Sequence, residues 1–187
     1  SVIPQSHWKI DRFGGAVYAA AGSAPKFYDC VFTYNQAHPN EPNMWNDDQG
    51  DSAPTAIRYE TLAYGGALAF EEGASPVLEN CMINGNFAHM GGGIYSNWCE
   101  PLISDCDISA NEADSGGGIA FVGGENRVAR TTVTNNTSTK IGGTGGGAAL
   151  LGANAMIVDT KFTNNDTEGD GGGVFISSRY GDVNGLD

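Results

Sequence analysis

The chain has 187 residues, of which 22 are acidic and nine are basic, so its formal net charge is −13 at pH 7. A chain this acidic is a poor partner for nucleic acid or for an anionic membrane surface, because both are negatively charged. It contains no 18-residue apolar run, and Ser1 does not open a basic-then-apolar leader, so we expect neither a membrane span nor a signal peptide in this segment.

Two short motifs recur along the chain with a period near 25 residues. One is a glycine pair that opens an uncharged run, starting at Gly14, Gly65, Gly91, Gly116, Gly145 and Gly171. The other is an apolar residue followed three places later by asparagine, at Asn35, Asn86, Asn111, Asn136 and Asn165. A period of this length, without helical periodicity and with β-branched runs, predicts an all-β fold, a right-handed parallel β-helix with about 25 residues per coil. We expect residues 1–187 to be a single β-helix module of a longer chain.

The first repeat is longer than the others. Asn35 and Asn86 are 51 residues apart, whereas later asparagines follow at 25, 25 and 29. The excess, residues 37–62, is predicted to be an inserted acidic loop or a degenerate coil. Its carboxylates at Asp47, Asp48 and Asp51 are hard oxygen ligands of the kind that calcium prefers, although their spacing is not that of an EF-hand. The alternative is a solvated acidic loop, and the sequence suggests no cofactor other than calcium.

Two strands of each coil should place apolar residues in inward columns. One column is Phe27, Leu78, Ile103, Val128 and Ile157, and the other is Phe32, Ile83, Ile108, Val133 and Phe162. We expect the asparagines to turn inward at a corner, where their carboxamides form a structural ladder along the stack. Cys30, Cys81 and Cys106 share one repeat position, which is compatible with stacked thiols or with a Cys81–Cys106 disulfide.

The strand after each glycine pair is uncharged in all six repeats. Strand alternation turns Val17, Leu68, Ile94, Ile119, Ala148 and Val174 towards the core. The outward residues are then Tyr18, Ala69, Tyr95, Ala120, Ala149 and Phe175, an apolar column. We predict that this column is an interaction surface on which the protein associates laterally with other protein subunits or with a surface polymer such as carbohydrate. On this hypothesis Ala120→Lys abolishes association and leaves folding intact.

The motifs Gly14-Gly15-Ala16-Val17, Gly65-Gly66-Ala67-Leu68, Phe32-x-x-Asn35 and Phe162-x-x-Asn165 carry a family resemblance. They resemble the repeats of the chlamydial polymorphic outer membrane proteins, over about residues 14 to 178. The resemblance implies a secreted or cell-surface rod used for adhesion. We therefore expect an extracellular or cell-surface location and a structural, adhesive role.

The alternative is a carbohydrate-active enzyme of the pectate-lyase-like fold, of the lyase or glycoside hydrolase type. Such chemistry needs clustered carboxylates or a positioned base, and the nearest candidates are the Asp105–Asp107 pair and the two arginines Arg127 and Arg130. We assign no catalytic residue. Asn135 opens an Asn-Asn-Thr sequon and is the candidate glycosylation site, since Asn136 and Asn165 belong to the inward ladder.

Overall fold

The computed structural model describes residues 12–37 and 62–178. Over these ranges the chain forms short β-strands and no helix, and the strands pair in parallel with their equivalents in the next coil. The predicted all-β parallel β-helix is confirmed. Because each coil pairs residue for residue with the next, equivalent side chains lie above one another in straight columns.

Sheet 1 is the longest sheet and starts just after the glycine pairs. Its six strands are β2 (Val17–Ala19), β6 (Leu68–Phe70), β9 (Ile94–Asn97), β13 (Ile119–Val122), β17 (Ala148–Leu151) and β21 (Val174–Ser177). Sheet 2 follows the next corner and contains β3 (Lys26–Tyr28), β7 (Val77–Glu79), β10 (Leu102–Ser104), β14 (Glu125–Ala129) and β18 (Asn154–Val158).

Sheet 3 contains β4 (Val31–Thr33), β8 (Met82–Asn84), β11 (Asp107–Ser109), β15 (Thr132–Thr134) and β19 (Lys161–Thr163). The coil closes through two small sheets. Sheet 4 is built from β12 (Glu112–Ala113), β16 (Thr137–Ser138) and β20 (Asp166–Thr167), and sheet 5 from β1 (Arg12–Phe13) and β5 (Ala63–Tyr64).

The core is the space enclosed by sheets 1, 2 and 3. Leu68, Ile94 and Ile119 point into it from sheet 1, and the two predicted apolar columns point into it from sheets 2 and 3. Side chains of the middle coils are fully buried, whereas Phe27, Phe32, Ile157 and Phe162 at the two ends of the described stack are only partly buried. A coil buries its apolar residues against its neighbours. A middle coil has a neighbour on both sides, whereas a coil at the end of the described stack has a described neighbour on one side, so its apolar residues are less buried.

The strands end where the backbone enters the left-handed region. Between sheets 2 and 3 this residue is Asp29, Asn80, Asp105, Arg130 or Asp159, each with φ between 47° and 54°. Asn and Asp tolerate this conformation better than other non-glycine residues, because their short polar side chains hydrogen-bond locally. The sharp corner between the two sheets therefore depends on one residue per coil.

The glycine pairs are required for two different reasons. Gly91 has φ +64°, a conformation that L side chains rarely adopt. Gly92 has an ordinary φ, but a Cβ on it would lie 2.4 Å from the carbonyl oxygens of both Glu112 and Gly117. The first glycine of the pair makes the bend, and the second lets successive coils approach at the corner.

The five asparagines lie in one column and form a continuous hydrogen-bonded ladder. Asn111 Oδ1 accepts from the backbone N–H of Asn86 at 2.9 Å and from its Nδ2 at 2.8 Å. Asn111 Nδ2 donates to Asn136 Oδ1 at 3.0 Å and to the carbonyl of Ile83 at 2.9 Å. Asn86, Asn111 and Asn136 are fully buried, so these carboxamides satisfy backbone groups that water cannot reach.

A second ladder runs through the cysteine column. The thiol of Cys106 accepts from the backbone N–H of Cys81 at 3.5 Å, and the hydroxyl of Thr131 accepts from that of Cys106 at 3.3 Å. All four cysteines of the chain are free thiols, which matches the stacked arrangement and not the Cys81–Cys106 disulfide. Burial raises the pKa of the Cys106 thiol to about 11. Thiol and hydroxyl make the same contacts here, which explains why threonine replaces cysteine in the later coils.

Coil length varies at the corner between sheets 4 and 1. Residues 139–143 lie between Ser138 and Thr144, where the preceding coil has Asp114 alone. Residues 38–61 lie outside the described residues, as does the predicted calcium set Asp47, Asp48 and Asp51. The described coils before and after this segment pair directly, Phe32 with Ile83.

Candidate binding surfaces

The outward column of sheet 1 is apolar, but it does not stand open at the surface. Ala69, Ala120 and Ala149 are 0% exposed and Tyr95 is 2% exposed, whereas Phe175 is partly buried and Tyr18 is 51% exposed. The prediction of an open interaction surface is therefore wrong for most of this column. Such an apolar face is costly to leave in water, and sheet 1 is buried on both faces within the chain.

Side chains that the prediction did not include pack on this outer face. Leu151 and Val122 continue the apolar cluster along β17 and β13, and Leu62 and Met90 pack against it. Aromatic rings cover the first coils: Tyr64 lies 4.6 Å from Tyr95, centroid to centroid, and is stacked on the ring of Phe13 at 5.2 Å. The outer face of sheet 1 thus forms a second hydrophobic core beside the one inside the coils.

The clearest surface irregularity lies at the corner between sheets 1 and 2. Trp98 occupies the position that is glycine in the next two coils, Gly123 and Gly152, and all three have positive φ: 51°, 62° and 59°. A tryptophan here is held in a conformation that costs an L residue about 1–2 kcal/mol. Despite that cost, Trp98 is 61% exposed, so burial of the indole does not compensate for the strain.

The Trp98 ring packs against Gly123 of the next coil. A Cβ added to Gly123 would be 2.6–2.9 Å from the ring atoms Cδ2, Cε2 and Cε3, so only glycine provides this seat. Tyr34 is placed in the same way on sheet 3: its φ is 55°, it is 79% exposed, and its ring covers Gly85. In both cases an exposed aromatic ring at a left-handed corner covers the glycine of the next coil.

Trp98 borders a groove. The groove has a volume of about 320 Å³, at the lower end of the roughly 300–1,000 Å³ typical of ligand pockets. We call its three polar side chains, Glu100, Glu125 and Asn154, the rim of the groove. The lining residues are Trp98, Cys99, Glu100, Gly124, Glu125, Gly152 and Asn154. Runs of glycine in this corner leave the space that side chains would fill.

The rim of the groove is ordered by hydrogen bonds. Asn154 Nδ2 donates to Glu125 Oε1 at 2.7 Å. Beneath them, buried Asn126 donates from Nδ2 to the carbonyls of Gly123 and Asn154, at 2.9 and 3.1 Å. The Asn126 carboxamide therefore links Gly123, against which the Trp98 ring packs, to β18, which contains Asn154. The register of β10 and β14 places Glu100 beside Glu125.

The charged residues singled out from the sequence lie elsewhere. Arg130 and Asp105 form an exposed bidentate ion pair at the corner of sheets 2 and 3, with N–O distances of 2.7 and 2.6 Å. Hydrogen bonding by the Arg130 guanidinium lowers the pKa of the Asp105 carboxyl. Asp107 lies on sheet 3, where it accepts a hydrogen bond from the Ser109 hydroxyl. Within the described ranges no three His, Cys, Asp or Glu side chains are grouped to hold a metal ion.

Asn135 lies at the exposed left-handed corner that precedes the ladder residue Asn136, with φ 54°. Its side chain is therefore accessible, whereas Asn136 is 0% exposed. Glycosylation at Asn135 stays a prediction.

Sequence reasoning missed the Trp98 groove. A signal was present, because a tryptophan stands in a column that is otherwise glycine in the following coils. That column is recognisable only once the corner between sheets 1 and 2 is aligned. The glycine and asparagine motifs that define the repeat lie at other corners of the coil.

Comparison with known proteins identifies the repeat but no individual relative. A family model described as a right handed beta helix region matches residues 6–167. No curated protein and no solved structure matches the chain. The match is to the general β-helix repeat, and the narrower resemblance to polymorphic outer membrane proteins stays a prediction. Among the described residues, none belongs to a helix long and apolar enough to cross a membrane.

Proposed function

The chain belongs to the right-handed β-helix family, and we propose that it is a structural and adhesive scaffold acting outside the cell or at its surface. The observation that carries the proposal is the residue-for-residue register of the coils. Register turns outward side chains into straight columns with one member per coil, about 4.8 Å apart. A rod of this kind presents repeated contacts to a partner that is itself extended or repetitive.

Two internal features support a rigid rod. The buried asparagine ladder links successive coils by side-chain hydrogen bonds, and sheet 1 is packed on both faces. A scaffold of this kind holds its surface groups in place before it meets a partner, so little ordering entropy is lost on binding. The acidic composition and the resemblance to adhesive surface rods favour an extracellular location.

Since the outer face of sheet 1 is buried, contact with protein partners has to use other faces. Sheets 2 and 3 carry exposed apolar side chains on their outward sides, among them Val31 at 64%, Met82 at 48% and Met156 at 62%. Methionine and aliphatic side chains scattered among polar residues suit a protein contact that does not depend on charge. We place the protein-binding surface of the scaffold on these two sheets.

The scaffold proposal is tested by measuring whether the chain binds extracellular partners. The intact chain is immobilised and exposed to a panel of extracellular matrix proteins and cell-surface polysaccharides, and binding is followed by biolayer interferometry. Saturable binding, weakened by Met156→Glu or Met82→Glu for protein partners, supports the scaffold. A chain that binds no panel member, and that is not reached by protease or antibody on intact source cells, would contradict the proposal.

One observation favours the second candidate, a carbohydrate-active enzyme. Glu100 and Glu125 are neighbours in one column of the Trp98 groove, and paired carboxylates are the usual catalytic set of glycoside hydrolases. This reading requires that oligosaccharide products appear when polysaccharide is incubated with the chain, and that Glu125→Gln stops their release. If the polysaccharide is bound but recovered intact, the scaffold function is supported.

A further inference from the structure

We propose that the groove beside Trp98 is a binding subsite for an uncharged sugar unit of a polysaccharide. The inference rests on the proposed function and deepens it, since it names one ligand class and one contact surface of the adhesive rod. It starts from the position of Trp98. The ring packs against Gly123 on one side, and Trp98 is 61% exposed, so much of the indole is open to solvent.

A flat, fixed aromatic face with polar groups at its edge matches the chemistry of a sugar ring. A pyranose has C–H groups on its faces, which pack on the negative face of an indole, and hydroxyl groups around its edge. Here the edge is supplied by Glu100, Glu125 and Asn154. A carboxylate accepts hydrogen bonds from hydroxyl groups, and a carboxamide both donates and accepts, so the rim can engage neighbouring hydroxyls of one sugar.

The charges in the groove decide between classes of sugar. No lysine or arginine is among the lining residues, whereas two are glutamates. An acidic sugar such as a uronate would bring a carboxylate against these two side chains, in a chain whose net charge is already −13. The groove therefore fits a neutral sugar and disfavours an acidic one.

The arrangement is also preformed. Asn126 links the backbone of Gly123 to that of Asn154, and a hydrogen bond joins the side chains of Asn154 and Glu125. Groups that are already held in place lose little freedom when a ligand arrives. Tyr34, whose ring covers Gly85 in the same way, does not line this groove.

The test compares Trp98→Gly with Tyr34→Gly. Both remove an exposed ring and put glycine at a left-handed position, so neither strains the backbone. The probes are cellohexaose, chitohexaose and mannohexaose, with hexagalacturonate as the acidic counterpart, measured by isothermal titration calorimetry. We expect the wild type to bind at least one neutral hexasaccharide, Trp98→Gly to weaken it at least tenfold, on the order of a binding hot spot, and Tyr34→Gly to leave it unchanged.

A second measurement leaves Trp98 in place and uses its own fluorescence. Trp98 is one of three tryptophans, and with Trp8→Phe and Trp45→Phe it becomes the only one, so excitation selective for tryptophan reports on Trp98 alone. The bound hexasaccharide should then shift the fluorescence of Trp98, and Glu125→Gln should weaken the shift. Equal affinity of wild type and Trp98→Gly, an unchanged Trp98 spectrum, or tighter binding of hexagalacturonate would each overturn the subsite. Protein binding by Met82 and Met156 would survive that result, so the scaffold proposal is tested separately.

Discussion

Replacing Asn111 by alanine tests whether the asparagine ladder holds the coils together. The Asn111 side chain makes four hydrogen bonds, two accepted from Asn86 and two donated to Ile83 and Asn136. Without it, the buried backbone N–H of Asn86 loses its partner, which costs about 1–3 kcal/mol, and three further bonds of about 0.5–1.5 kcal/mol each are lost. We expect Asn111→Ala to lower the free energy of unfolding by about 2.5–7.5 kcal/mol, a large part of the 5–15 kcal/mol typical of a domain.

Asn35→Ala is the matched control for this experiment. Asn35 belongs to the same ladder, but its side chain donates to Asn86 Oδ1 and accepts from no described residue. Its loss strands no backbone N–H, so the expected cost is about 0.5–1.5 kcal/mol. Urea unfolding followed by far-ultraviolet circular dichroism measures both variants. If Asn111→Ala costs no more than Asn35→Ala, the ladder is not a source of stability.

A shape-preserving variant separates hydrogen bonding from cavity formation. Asn111→Asp keeps the volume but replaces the donor amide by a carboxylate that faces the oxygens of Ile83 and Asn136. Burial and these acceptors should raise its folded-state pKa above the unfolded value of about 3.9. The variant is then least destabilised below the unfolded pKa, and its deficit grows as pH rises through the folded pKa. A deficit independent of pH would count against this account of the corner.

Three further outcomes are expected. Gly92→Ala should lower the thermal midpoint sharply, because its Cβ meets two carbonyl oxygens, whereas Gly142→Ala, with open space around it, should cost only the left-handed strain of about 1–2 kcal/mol. Ala120→Lys should destabilise the fold, since Ala120 is fully buried; an unchanged midpoint in calorimetry would restore the exposed-surface hypothesis. Arg130→Gln should raise the pKa of Asp105 towards its ordinary value, because that pKa is lowered chiefly by the Arg130 hydrogen bond. NMR titration of the Asp105 carboxyl carbon measures the shift. Any stability that the pair contributes is present above the unfolded-state pKa of Asp105 and is lost as pH falls through its folded-state pKa.

The fold could be predicted because its determinants recur. Gly92 or Asn111 alone indicates little, but the same residue type in each coil defines a period, and the period defines the stack. The orientation of Ala120 away from the coil interior also follows from strand alternation. Its burial does not, since alternation assigns a side chain to a face and contains no information about what covers that face.

The Trp98 groove could not be predicted, because its main determinant does not recur from coil to coil. It depends on one coil that carries a large ring where the next two coils carry glycine. Nothing in the local sequence distinguishes Trp98 at a left-handed corner from a tryptophan in a loop. The hydrogen bond from Asn126 to the carbonyl of Asn154, 28 residues further along the chain, forms only when the coils are stacked.

The corner between sheets 4 and 1 is where the chain tolerates extra length. Residues 139–143 are accommodated there while Thr137 still pairs with Glu112 and Ala148 with Ile119. A foreign peptide inserted in place of this loop should therefore lie on the outside of the β-helix, with both flanking coils still paired in register. Insertions at the same corner of several coils would present the inserted peptides at regular intervals, set by the spacing between coils.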